Sequence, residues 1–167
     1  AGDMVVSLRL SGDELLEGGL NARECLEVAQ RLARTGLVDV LNVLGGNAFS
    51  EPGMARNMPG MDMPTAPYLH LAASVRAETG LPVFHASRIT DLDTARHAIA
   101  QGQIDMVAMT RAHMADPEIV AKLRRGEIDR IRPCVGARHC LEGSIYGGGA
   151  ACIHNPATGR ERSIPQT

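Results

Sequence analysis

Segments that favour β-strands alternate with segments that favour helices four times along most of this chain. Such alternation is typical of parallel sheets whose strands are joined by right-handed helical crossovers. The pattern fits either an open doubly wound sheet or part of a (β/α)8 barrel, and a complete barrel takes about 250 residues. The 167 residues supply four such units, so the sequence predicts an α/β fold that is a partial (β/α)8 TIM barrel. The predicted strands are 4–10, 37–43, 81–87 and 104–110.

Local capping patterns mark where the predicted helices begin. Asn21, with Glu24 three residues later, has the pattern of a capping box, and Asp91 is a suitable N-cap for a later helix. Asp116–Pro117 predicts the start of the last helix, as an N-cap followed by a proline at the first helical position. The segment 45–64, rich in Gly, Pro and Met, is predicted to be a long loop.

Composition and charge exclude several classes of protein. The net charge is −2 and like charges do not cluster, which argues against a nucleic-acid partner. No apolar run approaches the roughly 20 residues of a membrane span. No secretory signal pattern opens the sequence. We therefore expect a cytoplasmic protein that acts on a small molecule.

The last part of the chain has a different character from the rest. Residues 1–130 are predicted to form the barrel part, and residues 131–167 an irregular segment rich in Gly and Cys. Three of the four cysteines, Cys134, Cys140 and Cys152, lie in this segment. Clustered cysteines in an intracellular chain favour a metal or redox site over a disulfide scaffold. Ala137 lies where a four-cysteine motif would place one more ligand.

The first predicted strand carries an arginine near its carboxyl end. Arg9 points to the face opposite the apolar side chains of that strand. A buried arginine needs a partner, and ligands of barrels bind at the carboxyl ends of the strands. An anionic or electron-rich ligand is one possible partner, and a loop carboxylate such as Asp13 or Glu14 is the other.

Several motifs occur in an order that resembles one enzyme family. "VVSLRLSGDE", "PVFHASRITD", "RPCVGARHC" and "CIHNPATGRE" resemble the old yellow enzyme class of flavin barrels. They are most similar to the branch of trimethylamine dehydrogenase and 2,4-dienoyl-CoA reductase, and within it to the dimethylglycine and N-methylproline demethylases. The resemblance implies that the chain is strands five to eight of an FMN-binding barrel, followed by an iron–sulfur segment. It also implies FAD or NAD(P)H in the intact enzyme.

The resemblance implies a set of residues that bind FMN. Arg9 matches an arginine that contacts the pyrimidine edge of the flavin. Ser87 and Arg88 match one pair in the phosphate-binding loops, and Thr110 and Arg111 match the other. The family usually has glycine at one or both of the positions of Ser87 and Thr110, so these side chains either crowd the phosphate or donate to it.

Charge spacing leaves another interpretation of the two loop arginines open. In this alternative Arg88 pairs with Asp91, and Arg111 pairs with Asp116. The catalytic residues of the family lie on strands outside this sequence, so they are unknown here. Among the residues present, those from Asn42 to Asn47 are expected to face the substrate side.

Two further side chains, one phenol and one imidazole, are candidates to line the barrel or its substrate site. Tyr146 is a candidate for an aromatic wall around an amine, or it packs under its own glycine-rich loop. His85 lies within the third predicted strand and is a candidate to line the barrel.

The cysteines match three of the four ligands of a 4Fe–4S cluster in the related branch. Cys134, Cys140 and Cys152 match the first, third and fourth ligands, and Ala137 replaces the second. His139 is the nearest candidate for a substitute ligand, and His154 is the next. The alternatives are an incomplete cluster, a zinc ion held by three cysteines and one histidine, or a site that binds nothing.

The resemblance predicts an FMN-dependent oxidoreductase that oxidatively demethylates a small methylated amine or amino acid. One alternative is an NAD(P)H-dependent ene or 2,4-dienoyl reductase on the same scaffold. Another is a truncated half barrel without activity that self-associates through its edge strands, 4–10 and 104–110. Edge strands commonly pair with a second copy, so a homo-oligomer is expected, and this chain alone is expected to be inactive.

Overall fold

The computed structural model describes residues 4–164 and contains one parallel sheet with helices beside it. The strands are β1 (Ser7–Asp13), β2 (Val40–Gly45), β3 (Val83–His85) and β4 (Met106–Val107). The helices are α1 (Ala22–Arg34), α2 (Glu51–Asn57), α3 (Leu69–Thr79), α4 (Leu92–Ala100), α5 (Thr110–Ala115), α6 (Ile119–Arg125) and α7 (His139–Ile145). A 3-10 turn, Ile128–Arg130, follows α6.

The order of the strands distinguishes the two folds that the sequence allows. The four strands are all parallel and lie side by side in the order β1-β2-β3-β4. A doubly wound sheet reverses its strand order at a switch point, whereas a barrel adds each new strand on the same side. The α/β prediction is confirmed, and the uninterrupted order is that of four consecutive strands of a barrel.

The strand register places the side chains on two faces of the sheet. Val43 lies opposite His85, and Asn42 lies opposite both Arg9 and Phe84. A β-carbon added to Gly12 would lie 2.8 Å from Cβ of Leu71 in α3 and 3.1 Å from Cγ1 of Val43, so the Val43 face packs under α3. His85 shares that face, because directly opposite residues point the same way. The prediction that His85 lines the barrel interior is therefore wrong.

The predicted caps are largely present. The Asn21 side chain accepts hydrogen bonds from the N–H groups of Arg23 and Glu24, and the Glu24 carboxylate accepts one from the Asn21 N–H. Asp91 caps α4 through the N–H of Thr94. These caps could be predicted because they depend on residues three or four positions apart.

The structure corrects the last predicted helix start. Asp116 does not cap α6 directly, because that helix begins at Ile119 with Glu118 as its N-cap residue. Asp116 instead follows α5, a helix that begins at Thr110, the last residue of the predicted strand 104–110. Strand β4 is shorter than predicted, since its pairing with β3 covers only Met106 and Val107.

Two short helices lie in segments predicted to be irregular. Helix α2 (Glu51–Asn57) interrupts the long loop after β2, where the Ser50 hydroxyl accepts the N–H of Gly53. Helix α7 (His139–Ile145) lies among the cysteines. Both have seven residues, too few for an apolar period to be recognised.

The chain divides into two compact units, residues 1–108 and residues 109–167. The first unit contains the sheet and the helices α1 to α4, and its core includes Leu41, Val75 and Ala29. The second contains α5 to α7 and the cysteine segment. The division between a barrel part, 1–130, and a cysteine-containing segment, 131–167, stays a prediction. Within residues 4–164, no helix is both long enough and apolar enough to cross a membrane.

Candidate cofactor sites

Arg9 lies on the face of the sheet opposite α3, and its side chain is exposed and paired with Asn42. Asn42 is 7% exposed, and with its amide oxygen turned toward β1 it accepts from Nε and Nη2 of Arg9 at 3.1 and 3.3 Å. The carboxylates of Asp13 and Glu14 instead accept N–H groups of their own loop at 2.7 and 2.8 Å. Arg9 is thus held by a neutral partner, and within residues 4–164 no ion pair compensates its positive charge.

The turn after β3 has an unusual backbone. Ser87 and Arg88 both have left-handed conformations, with φ of 36° and 60°. Each such residue costs roughly 1–2 kcal/mol when it carries a side chain. Arg88 is anchored on both sides, since its Nε donates to the Gly60 carbonyl at 2.5 Å and its own carbonyl accepts from Ala66 at 3.1 Å. Strain of this kind is typical of ligand-binding turns.

Ser87 also has a buried hydroxyl without a partner. The residue is 6% exposed, and among the described residues no atom hydrogen-bonds to its Oγ. A buried hydroxyl normally finds a partner because leaving it unpaired costs free energy. A phosphate oxygen at this turn would satisfy the hydroxyl, so the residues present fit the phosphate of a flavin nucleotide.

The alternative pairing of Arg88 with Asp91 is wrong. The Asp91 carboxylate accepts the backbone N–H and the hydroxyl of Thr94 at 2.8 and 3.0 Å. Asp116, the partner suggested for Arg111, forms its ion pair with Lys122 at 2.5 Å.

The other predicted phosphate-binding pair opens α5. Thr110 is exposed at the first position of the helix, and Arg111 is half-buried at the second. Arg111 lines a small cavity together with the three clustered cysteines. Within residues 109–167 the structure therefore groups Arg111 with the cysteine segment, and the phosphate role of this pair stays a prediction.

The clustered cysteines surround one cavity, here called the cysteine cavity. Its volume is about 30 Å³, which is room for roughly two water molecules. Within residues 4–164, no group of three or more His, Cys, Asp or Glu side chains is arranged to hold a metal ion. The iron–sulfur cluster and its ligands stay a prediction. The walls include Cys134, Cys140, Cys152, Arg111, Ala137, His139 and His154.

No disulfide joins the four cysteines, all of which lie within the described residues, and their thiols differ in environment. Burial raises the pKa of Cys140, and the positive charge of Arg111 opposes that shift, while thiolates at Cys134 and Cys152 would add to it. Burial also raises the pKa of Cys25 to about 11. A thiol that stays protonated is unreactive, so Cys25, a buried residue of α1, serves packing.

Asn47 and Tyr146, two further candidates from the sequence, lie in different environments. Asn47 is 5% exposed, and its amide donates to the Glu14 carbonyl at 3.0 Å, so it anchors the loop after β2. Tyr146 follows α7 as its C-cap residue and is 74% exposed. Sequence reasoning missed the carbonyl of Gly60 as the anchor of Arg88, and no pattern marks a backbone acceptor 28 residues away.

Comparisons with known proteins add a family to this geometry. The model of the NADH:flavin oxidoreductase / NADH oxidase family matches residues 1–129. A probable N-methylproline demethylase from Rhizobium meliloti (strain 1021) is 47% identical over 165 residues, which are 99% of this chain and 24% of that protein. A multifunctional alkene reductase/demethylase OYE from Caballeronia cordobensis is 47% identical over 160 residues, which are 95% of this chain and 22% of that protein.

A solved structure agrees with the barrel prediction. A complex of 2-naphthoyl-CoA reductase with 2-naphthoyl-CoA superposes with a TM-score of 0.83 and 28% identity, over 93% of this chain and 23% of that chain. This chain therefore spans about a quarter of the length of the relatives that it matches.

Proposed function

This chain belongs to the NADH:flavin oxidoreductase / NADH oxidase family, and we propose from that premise that it is part of an FMN-dependent enzyme that oxidatively demethylates a small N-methylated amine or amino acid. The observation that carries the proposal is the 47% identity to a probable N-methylproline demethylase along 99% of this chain. The cofactor role rests on the turn after β3 and on Arg9.

FMN, when bound, would accept a hydride from the N-methyl carbon of the substrate. The chain's own residues would bind and orient it. The hydroxyl of Ser87 and the N–H groups of its turn suit a phosphate, because a phosphate oxygen would satisfy the unpaired hydroxyl. Arg9, held by Asn42, would place a fixed positive charge where negative charge develops on the flavin.

The three clustered cysteines belong to the same proposal. Cys134, Cys140 and Cys152 would hold a 4Fe–4S cluster, which could carry electrons away. Thiolates are the preferred ligands of such clusters, and Ala137 supplies none, so a fourth ligand must come from elsewhere.

Anaerobic titration of the intact enzyme tests the reaction. N-methylproline or dimethylglycine is expected to bleach the flavin absorbance without NADH, with release of formaldehyde. Bleaching by NADH alone, with no response to either amine, would contradict the demethylase proposal.

A reductase is the second candidate, because one relative is named both an alkene reductase and a demethylase. It predicts that enzyme reduced by NADH is reoxidised by an α,β-unsaturated carbonyl compound. Running this assay beside the amine titration separates the two activities.

A further inference from the structure

His154 has a defined proton position at the wall of the cysteine cavity. Its Nδ1 lies 2.7 Å from the carbonyl oxygen of Pro133. A carbonyl oxygen can only accept, so Nδ1 must carry the proton of this bond. In the neutral imidazole the other nitrogen, Nε2, then keeps its lone pair and is free to act as an acceptor or a metal ligand.

This arrangement is the one found in metal-binding histidines. Such histidines donate one ring N–H to a backbone carbonyl or carboxylate, and the bond fixes the ring so that the other nitrogen faces the metal. Pro133 directly precedes Cys134, and His154 follows Cys152 by two positions. The hydrogen bond therefore joins the two stretches of chain that carry the first and last of the clustered cysteines.

The local chain direction also favours His154. Ile153 is 57% exposed, whereas its neighbours Cys152 and His154 are half-buried, and all three border the cavity. The two residues with ligand atoms are thus the more enclosed members of this stretch. His139 differs, because it is exposed at the first position of α7, and among the described residues none hydrogen-bonds to its ring.

We propose that Nε2 of His154 is the fourth protein ligand of a metal centre whose other ligands are Cys134, Cys140 and Cys152. It would supply the donor that Ala137 lacks. The assignment rests on the proposed function only for the presence of a metal centre. It chooses His154 in place of His139, which the sequence alone favours as the substitute ligand. Three thiolates and one imidazole suit thiophilic centres, either a single zinc ion or an iron–sulfur cluster.

The cavity sets what each centre requires. The four side chains lie around the cavity without converging on one point, so binding requires them to turn inward. A single ion fits a volume of about 30 Å³, whereas a cluster of eight atoms requires the walls to move apart. A divalent ion bound by three thiolates leaves a net charge of −1 at the site. The positive charge of Arg111 on the cavity wall offsets this negative charge.

Metal analysis of the intact protein, purified without oxygen, tests the ligand set. Iron, zinc and acid-labile sulfide are measured for the wild type, His154→Ala and the matched control His139→Ala. We expect His154→Ala to lose metal affinity by at least about tenfold, while His139→Ala keeps the wild-type content and spectrum. Iron together with sulfide identifies a cluster, whereas zinc alone identifies a single ion. The loss of either centre in His154→Ala, but not in His139→Ala, supports the assignment.

Two rescue variants separate ligation from misfolding. His154→Cys supplies a thiolate in the same place and is expected to retain the centre. The double variant Ala137→Cys with His154→Ala restores the usual cysteine and is expected to regain the metal that His154→Ala loses.

Three results would overturn the assignment: a wild type that binds neither metal, an unchanged metal content and spectrum in His154→Ala, or a selective loss in His139→Ala. Because these readouts need no substrate, failure of the amine titration would remove the demethylase proposal and leave the ligand assignment standing.

Discussion

Asp116 is a buried carboxylate that ties together three stretches of the second unit. It accepts from Nζ of Lys122 at 2.5 Å, from the N–H of Arg132 at 2.8 Å and from the N–H of Glu118 at 3.0 Å. Burial raises the pKa of this carboxyl, but the hydrogen bonds from Lys122, Arg132 and Glu118 outweigh burial and hold the pKa below its usual range. Asp116 therefore holds in place the chain that leads to the cysteines.

Replacing Asp116 with Asn is expected to destabilise the protein by about 2 kcal/mol, because Lys122 would lose its charged partner in a nearly buried position. The loss in free energy of unfolding relative to wild type should have its whole value above about pH 4. It should shrink as the pH falls through the lowered pKa, because Asp116 of the wild type is then protonated. Urea unfolding at several pH values measures both effects.

Asp93→Asn is the matched control, since its side chain is 95% exposed and pairs with Arg96 at 3.4 Å. A change below about 0.5 kcal/mol is expected there. Equal losses in the two variants would contradict the role assigned to Asp116.

His85 is a buried imidazole in the middle of the sheet. It is 0% exposed, its Nδ1 lies 2.8 Å from the Val43 carbonyl, and its Nε2 is buried without a partner among the described residues. Burial lowers the pKa of His85, the hydrogen bond to Val43 opposes that shift, and the charge of His70 adds to it. The folded protein therefore keeps this ring neutral.

The free energy of unfolding should decrease as the pH falls, because His85 is kept neutral in the folded protein. The unfolded chain takes up a proton near pH 6.5, whereas the folded chain does so only at a lower pH, so stability is lost as the pH falls below about 6.5. His85→Gln is expected to weaken this dependence between pH 7.5 and 5.5, measured by urea unfolding. His97→Gln, on the exposed side of α4, is the control. A similar change in both variants would argue against His85 as the cause.

At the scale of elements, the turn after β3 combines strain with an unpaired group. Ser87→Gly removes the left-handed side chain and the buried hydroxyl, so it should stabilise the FMN-free protein by about 1 kcal/mol. Ser87→Ala removes only the hydroxyl and keeps the strain. Both variants should bind FMN more weakly than wild type, as measured by fluorescence titration of the intact enzyme.

The comparison of the two variants separates strain from binding. If Ser87→Gly lowers stability without FMN, the left-handed turn is not a source of strain. If Ser87→Ala binds FMN as tightly as wild type, the hydroxyl does not contact the phosphate.

Some elements could be predicted from the sequence and others could not. The capping box of α1 and the Asp91 cap of α4 depend on neighbours within one turn, so they were predicted correctly. The start of α6 was misplaced, because Asp116 has the composition of a cap but bonds to Lys122 and to the backbone of Arg132. That second partner lies 16 residues away and leaves no local signal.

At the scale of the whole molecule, the sheet has two outer edges. Within residues 4–164, β1 pairs only with β2, and β4 pairs only with β3. Beside the first edge, Met4 and Val5 are both 74% exposed. Unpaired edges next to apolar side chains tend to recruit another strand, so we propose that this chain alone forms a homo-oligomer.

Val5→Lys is expected to raise the monomer fraction of the isolated chain, because a charge beside an edge strand opposes strand pairing. Light scattering after gel filtration measures this fraction. Val120→Lys, at a site on α6 that is 48% exposed, is the matched control. A monomeric wild type, or an equal shift in both variants, would contradict association through this edge.

The sequence by itself determined the alternation of strands and helices, the caps of α1 and α4 and the gathering of three cysteines in one segment, because these follow from local periodicity and spacing. Only the tertiary structure decided that Arg9 is held by Asn42, that His85 faces α3, and that His154 is fixed to Pro133. These contacts depend on strand register and on bonds between residues 20 or more positions apart in the chain. No local pattern in a single sequence encodes such register and long-range pairing.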